Sequence, residues 1–244
     1  MIRYVLRLDR WPLAITAAAL VAYLLLALHE LASPVYGMTT SLVPYLSLIL
    51  GVVWAAPLLA RELESGTASW AWGMGITRRR WLASRAAVPA AAAVVSALIL
   101  TSLVELSTAR WPSWMGDDRL SPAYLAAHGP AIVAFSIFAV ALGFAAAALT
   151  GRLVPAIGVT LAGQLAAAYA FPSLAAALAP RTTTLATSYA GHFISQRVID
   201  GRTITTYIPD SYYWPVEISM TAAILLTAVL LATAATLRTA RRPG

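Results

Sequence analysis

Gly129-Pro-Ala-Ile-Val-Ala-Phe-Ser-Ile-Phe-Ala-Val-Ala-Leu-Gly-Phe-Ala-Ala-Ala-Ala-Leu-Thr150 is a run of 22 residues without a charge. A soluble helix of that length keeps a polar face for water, and this one has none. About 20 such residues reach across the hydrocarbon core of a bilayer, so the stretch reads as a membrane span. Five further runs of the same kind lie on either side of it. The six spans run approximately 12 to 31, 42 to 60, 86 to 106, 129 to 150, 153 to 179 and 217 to 237. Composition agrees: 60% of the 244 residues are hydrophobic and 11% charged, against roughly 25% charged in an average soluble domain. The expected fold is therefore an all-α, polytopic membrane protein with residues 1–244 forming one transmembrane domain.

The first span follows Arg3, Arg7 and Arg10, which resembles the start of a signal peptide. Its apolar stretch is long for a signal and has no convincing cleavage site, so it is expected to be retained. Ile2, Val5 and Leu6, set among those arginines, suggest a short surface helix before it. Short loops rich in arginine stay in the cytoplasm. The N-terminus, 61 to 85, 151 to 152 and the C-terminal tail hold twelve arginines, and the alternate segments hold five. Both termini are expected to be cytoplasmic.

All 17 basic residues are arginine. Without lysine there is no phosphate-binding loop ending in Gly-Lys-Ser/Thr and no Schiff-base chemistry. Without cysteine there is no disulfide, thiolate nucleophile or cysteine-ligated metal. His29-Glu30 lacks the second histidine of a zinc-protease helix, because position 33 is Ser33. No catalytic constellation and no metal site is expected, and nothing points to nucleic acid. No ionisable group lies at the middle of a span: Glu30, Glu105 and Glu217 fall at outer ends, where solvation by water is expected. Neutral polar groups at depth, such as Ser47, Ser136 and Thr160, are expected to satisfy their own helices. Gln164 is the exception, since an amide in lipid needs a partner across a helix interface or in a cavity, and it is the one candidate for a translocation pathway. Runs of alanine and glycine read as helix packing surfaces. Pro44, Pro57, Pro89, Pro155 and Pro172 are expected to bend or break the spans.

The richest polar segment joins the second and third spans: Arg61-Glu-Leu-Glu-Ser-Gly-Thr-Ala-Ser-Trp-Ala-Trp-Gly-Met-Gly-Ile-Thr-Arg-Arg-Arg-Trp-Leu-Ala-Ser-Arg85. Thr67 is a candidate N-cap for a short helix carrying Trp70 and Trp72 and ended by Gly73 or Gly75, with Thr77 capping the next helix. Arg78, Arg79 and Arg80 occupy that helix's first turn, against its macrodipole. Anionic lipid headgroups favour them there generically, which makes them lipid-facing or topology residues. The two tryptophans read either as an interfacial anchor or, together with Glu62 and Glu64, as a docking surface.

The segment Arg61-Glu62-Leu63-Glu64-Ser65-Gly66-Thr67, then Trp72, then Thr77-Arg78-Arg79-Arg80-Trp81-Leu82, resembles the loop between the second and third spans of type-two ABC exporter permeases, particularly small actinobacterial ones. Tyr207-Ile-Pro-Asp-Ser-Tyr-Tyr-Trp-Pro-Val-Glu217 is similar to the Tyr-x-Pro and aromatic-Trp motif before that family's last span. Six spans, cytoplasmic termini and a larger outer loop before the sixth agree with it. The resemblance implies a cytoplasmic coupling helix within 61 to 85, with Glu62, Glu64, Gly66, Thr67, Trp70 and Trp72 as ATPase-coupling residues. It also implies two copies of a separate ABC ATP-binding subunit carrying ATP and Mg, no cofactor in this chain, and a second permease copy or paralogue. The implied setting is a bacterial plasma membrane. The expected cargo is hydrophobic or amphiphilic, such as a drug, peptide or lipid, with antibiotic resistance as an associated role. The alternative is an ATP-independent channel or secondary carrier.

Overall fold

In the computed structural model the described residues are 10–32, 38–108, 119–185, 191–199 and 202–241. The expected surface helix over residues 2 to 10 lies outside them, apart from Arg10. The helices are α1 (Arg10–Ala32), α2 (Met38–Ile49), α3 (Ala56–Glu64), α4 (Thr67–Gly73), α5 (Arg78–Thr108), α6 (Pro122–Ala127), α7 (Ala131–Thr150), α8 (Leu153–Leu178) and α9 (Tyr213–Ala240). A π-helical segment, Leu50–Ala55, joins α2 to α3. Five stretches are long and apolar enough to cross a membrane: Tyr45–Glu64, Arg78–Thr108, Ala131–Thr150, Leu153–Leu178 and Asp210–Ala240. The first apolar run forms α1, whose apolar stretch Ala14–His29 is shorter than these five.

The charge-free stretch 131–150 becomes the central helix. Of its apolar window 78% is buried inside the protein, against 22% to 44% for the other four. Small residues make this possible, because they let backbones approach closely where lipid provides no drive to squeeze helices together. A methyl group built on Gly143 would lie 2.8 Å from the Ala55 Cβ and 2.9 Å from the Gly51 oxygen. The π-helical segment is what α7 rests on here. Pro57 has no N–H to give and its ring crowds the preceding carbonyls, so the ladder widens just before it and the Ala56 N–H bonds the Gly51 oxygen. Pro89 and Pro172 sit inside α5 and α8 without ending them.

Three clusters form the core. One, at the end where α3, α4 and α5 meet, gathers Trp54, Leu59, Trp81, Leu82, Phe144 and Ala235. A second gathers Phe135, Phe138, Tyr213, Val216, Met220 and Ile224 at the opposite end. The third joins α1, α2 and α5 through Tyr23, Val43, Ala97 and Leu100.

The structure is mostly helical, as an all-α polytopic chain should be, with one unexpected addition. The segment before the last helix carries three strands, β1 (Thr182–Thr184), β2 (Gly191–Ile199) and β3 (Arg202–Pro209). They form one antiparallel sheet in the order β1-β3-β2, with Thr182 and Phe193 both opposite Tyr207 and an irregularity between Phe193 and Ser195. Ile208 is buried and joins the second core cluster, so the sheet is fastened to the ends of α7 and α9. Runs of threonine, valine and isoleucine suit a pleated, half-buried surface.

Candidate functional site

The loop 61–85 is held by polar ties whose directions follow from helical spacing. Glu62 and Glu64, two residues apart on the last turn of α3, point to opposite sides. Glu62 takes Arg85 of α5 two-pronged, with oxygen–nitrogen distances of 2.8 Å and 3.1 Å. Glu64 reaches the other way and accepts the Leu153 N–H at 2.9 Å. Leu153 opens α8, and Arg152 before it provides no side-chain cap of its own. A carboxylate there satisfies an orphan donor and the positive end of the helix dipole, a contribution of about 1 kcal/mol. The last turn of α3 therefore grips two other helices at once.

Gly66 then turns the chain with φ at 75°, a left-handed conformation that favours glycine. Gly66 is the N-cap of α4, and Thr67 is its first helical residue rather than the expected cap. The Thr67 hydroxyl instead donates back to the Glu62 carbonyl at 3.2 Å and contacts the Ser65 hydroxyl at 3.0 Å. Both expected glycines take part in the end of α4, Gly73 as its last residue and Gly75 as the left-handed stop with φ at 86°. The cap of α5 agrees as well: the Arg80 N–H donates to the Thr77 hydroxyl.

Seven residues are too few to hold a helix in water without tertiary support. In α4 the support comes from Ala68, which is buried, and from Trp72, whose ring meets Trp81 edge-on with centroids 5.5 Å apart. Trp70, about 200° around the helix, faces away with 71% of its surface exposed, and Met74 beside it is 56% exposed. The two tryptophans thus have different surroundings. Of the three successive arginines, Arg79 and Arg80 are exposed, while Arg78 is partly buried with its guanidinium 4.7 Å from the Trp72 ring centroid.

Gln164 is 1% exposed in α8, and its amide donates to the Ser47 hydroxyl of α2 at 3.0 Å. The cross-helix partner expected for an amide in lipid is there and joins α2 to α8, while the buried Gln164 Oε1 has no partner among the described residues.

The sheet end of the bundle holds a second polar cluster that sequence reasoning did not find. Glu217, expected at a wet interface, is 0% exposed, and its Oε1 accepts the Ala131 N–H that opens α7 at 3.2 Å. Gly129 (φ 60°) leaves room for that carboxylate, since a methyl group built there would lie 3.0 Å from it. His128 stacks on Tyr124 with centroids 3.6 Å apart, and Tyr213 meets Tyr124 edge-on. The His128 Nδ1 lies 3.1 Å from the Tyr124 carbonyl and must donate, since that oxygen only accepts. Burial raises the Tyr124 hydroxyl above its ordinary range.

Burial also lowers the His128 imidazole from 6.5 to about 4, outweighing the hydrogen bond to Tyr124, which acts the other way. Between these values the unfolded chain binds a proton that the folded chain does not, so stability is full above pH 6.5 and falls towards pH 4. At about 1.4 kcal/mol per unit, the loss amounts to about 2 kcal/mol by pH 5. Between pH 7.5 and pH 5 the melting temperature of the purified protein is expected to fall relative to that of His128→Gln. The same change with pH in both proteins would mean that His128 contributes nothing to it.

A protein-family model described as ABC-2 membrane transporter related matches residues 25–176. No curated protein and no solved structure matches the chain.

Proposed function

The chain belongs to the ABC-2 membrane transporter-related family, and from that premise we propose that it is the membrane subunit of an ATP-driven exporter. In this reading the termini and the 61–85 loop are cytoplasmic, and ATP with Mg is bound and hydrolysed on two separate ABC ATPase subunits. A second permease copy or a paralogue completes the pathway in a bacterial plasma membrane. α1, at 23 residues, is about 35 Å long at 1.5 Å per residue and serves as the sixth span. The cargo is hydrophobic or amphiphilic, in keeping with spans that carry no ionisable group at their middles.

The observation that carries this reading is α4. It turns Trp70 and Met74 outward while the loop around it is fastened by Glu62 to α5 and by Glu64 to α8. An exposed aromatic and thioether pair outside the apolar spans is a docking surface. The two carboxylates provide the route by which a push on that surface reaches the bundle. Affinity purification from the native host is the test: an ATP-binding subunit is expected to come with the chain, and its consistent absence from stable preparations would overturn the reading.

One observation favours the alternative of an ion-driven carrier, namely Glu217, an ionisable group fully buried in a spanning helix. Vesicles supplied with ATP but no pH or ion gradient separate the two. Cargo is expected to move in them, and Glu217→Gln to leave the requirement for ATP unchanged. Strict dependence on a gradient would favour the carrier.

A further inference from the structure

Three consecutive arginines open α5, where positive charge opposes the helix dipole. A lipid headgroup accounts for Arg79 and Arg80, which are exposed, but not for Arg78. The Arg78 guanidinium covers the Trp72 ring at 4.7 Å, and its Nη1 donates to the carbonyl of Ala240, 162 residues away. Ala240 is the last residue of α9. Its carbonyl is one of the acceptors a helix leaves unsatisfied at its C-terminus, and the negative end of the helix dipole lies there. One planar cation therefore joins the inward face of α4 to the terminal turn of the last span.

What lies beyond that junction is stiff. From Val216 to Ala240, α9 contains neither glycine nor proline, whereas α5 and α8 carry internal prolines and the α2–α3 rod carries a π-helical turn. Glycine, proline and π turns are where helices absorb a displacement by bending. α9 has none along this length, and at its far end Glu217 holds the first N–H of α7. A displacement of Trp72 is passed along a rod with no joint in it.

We propose that Arg78 is the positioning residue that couples α4 to α9, so that movement of the docking helix reaches the sheet end of the bundle through the last span. This rests on the reading of α4 as the helix that meets the ATPase. The role requires a planar guanidinium and is more than a positive charge. Lysine keeps the charge, and with it the arginine-like topology signal, but as a point charge it cannot lie flat on the indole while reaching the carbonyl.

The experiment uses the full chain with its co-purified ATPase in vesicles, comparing wild type with Arg78→Lys, Arg79→Lys and Arg80→Lys. Cargo moved per ATP hydrolysed is read beside membrane insertion and ATPase retention. For Arg78→Lys the ratio is expected to fall roughly tenfold, the scale of one cation–ring contact together with a charge-assisted hydrogen bond. Insertion and ATPase retention should stay intact, and the other two variants should match wild type. A wild-type ratio in Arg78→Lys overturns the inference and leaves the ATPase reading standing, and so does an equal fall in all three variants. Should Arg78→Lys fail to accumulate, Trp72→Phe, which keeps an aromatic filler but weakens the cation–ring contact, is read by the same ratio. A wild-type chain that retains no ATPase overturns the reading and the inference together.

Discussion

Gly143→Val is expected to leave almost no folded protein in the membrane, while Gly158→Val accumulates as wild type does. The two glycines sit in successive apolar helices and look alike in sequence. Around Gly143, a first side-chain carbon would lie 2.8 Å from the Ala55 Cβ, 2.9 Å from the Ala56 nitrogen and 2.9 Å from the Gly51 oxygen. These are backbone atoms and a methyl group fixed to the backbone, none of which turns aside as a flexible side chain would. From the facing helix, a side-chain carbon built on Gly51 would lie 2.7 Å from the Ala139 oxygen. Valine at 143 would have to push the central helix off the π-helical segment and open the cluster around Trp54 and Phe144. Overpacking a core costs about 1–3 kcal/mol where the surroundings can yield, and more where they cannot. Here nothing can yield, so the cost exceeds that range and takes a large share of the roughly 5–15 kcal/mol that holds a domain folded. At Gly158 nothing lies within 4 Å of the same carbon. Membrane yield and melting temperature in detergent check both variants. Normal yield of Gly143→Val would mean that the helices do not approach this closely.

The contrast marks what can be read from a sequence and what cannot. Long apolar runs fix the spans because solvation by lipid is decided residue by residue, so the helix over 131–150 is legible without knowing its neighbours. Capping is also local: Thr77 and Gly75 fall where their chemistry puts them. The cap of α4 shifts by one residue because Gly66 adopts the left-handed conformation and Thr67 finds a closer acceptor behind it. The sheet is missed for a different reason. Windows of about twenty residues suit helices that cross a bilayer and pass over strands of eight or nine. The alternating Thr203-Ile204-Thr205 and the Asp200-Gly201 pair before it were the available hairpin signals. Glu217 and Arg78 were beyond reach altogether. The partner of one lies 86 residues away and that of the other 162. A charge at a helix end looks solvated until the helix that covers it is known.

Trp70→Ala is expected to weaken ATPase retention roughly thirty-fold, equivalent to about 2 kcal/mol, the usual scale for an aromatic anchor lost from an interface. The fold should stay untouched, because Trp70 has 71% of its surface exposed and the buried face of α4 is carried by Ala68. Trp72→Ala is expected to act in another way. That ring is spent inside its own chain, against Trp81 on its edge and under the Arg78 guanidinium. Its loss loosens α4 from α5; the ring is partly buried, so the cost stays below the roughly 3–5 kcal/mol of truncating a core aromatic. The melting temperature should fall, with ATPase retention falling only as far as the loop is disordered. Two tryptophans two residues apart, both expected from sequence to couple the ATPase, thus separate into one that meets the partner and one that holds the helix presenting it. Retention on an affinity column and the melting temperature of the same preparations distinguish them. If Trp70→Ala keeps the ATPase while Trp72→Ala loses it at an unchanged melting temperature, Trp72 is the contact. The outward face of α4 would then be a membrane anchor.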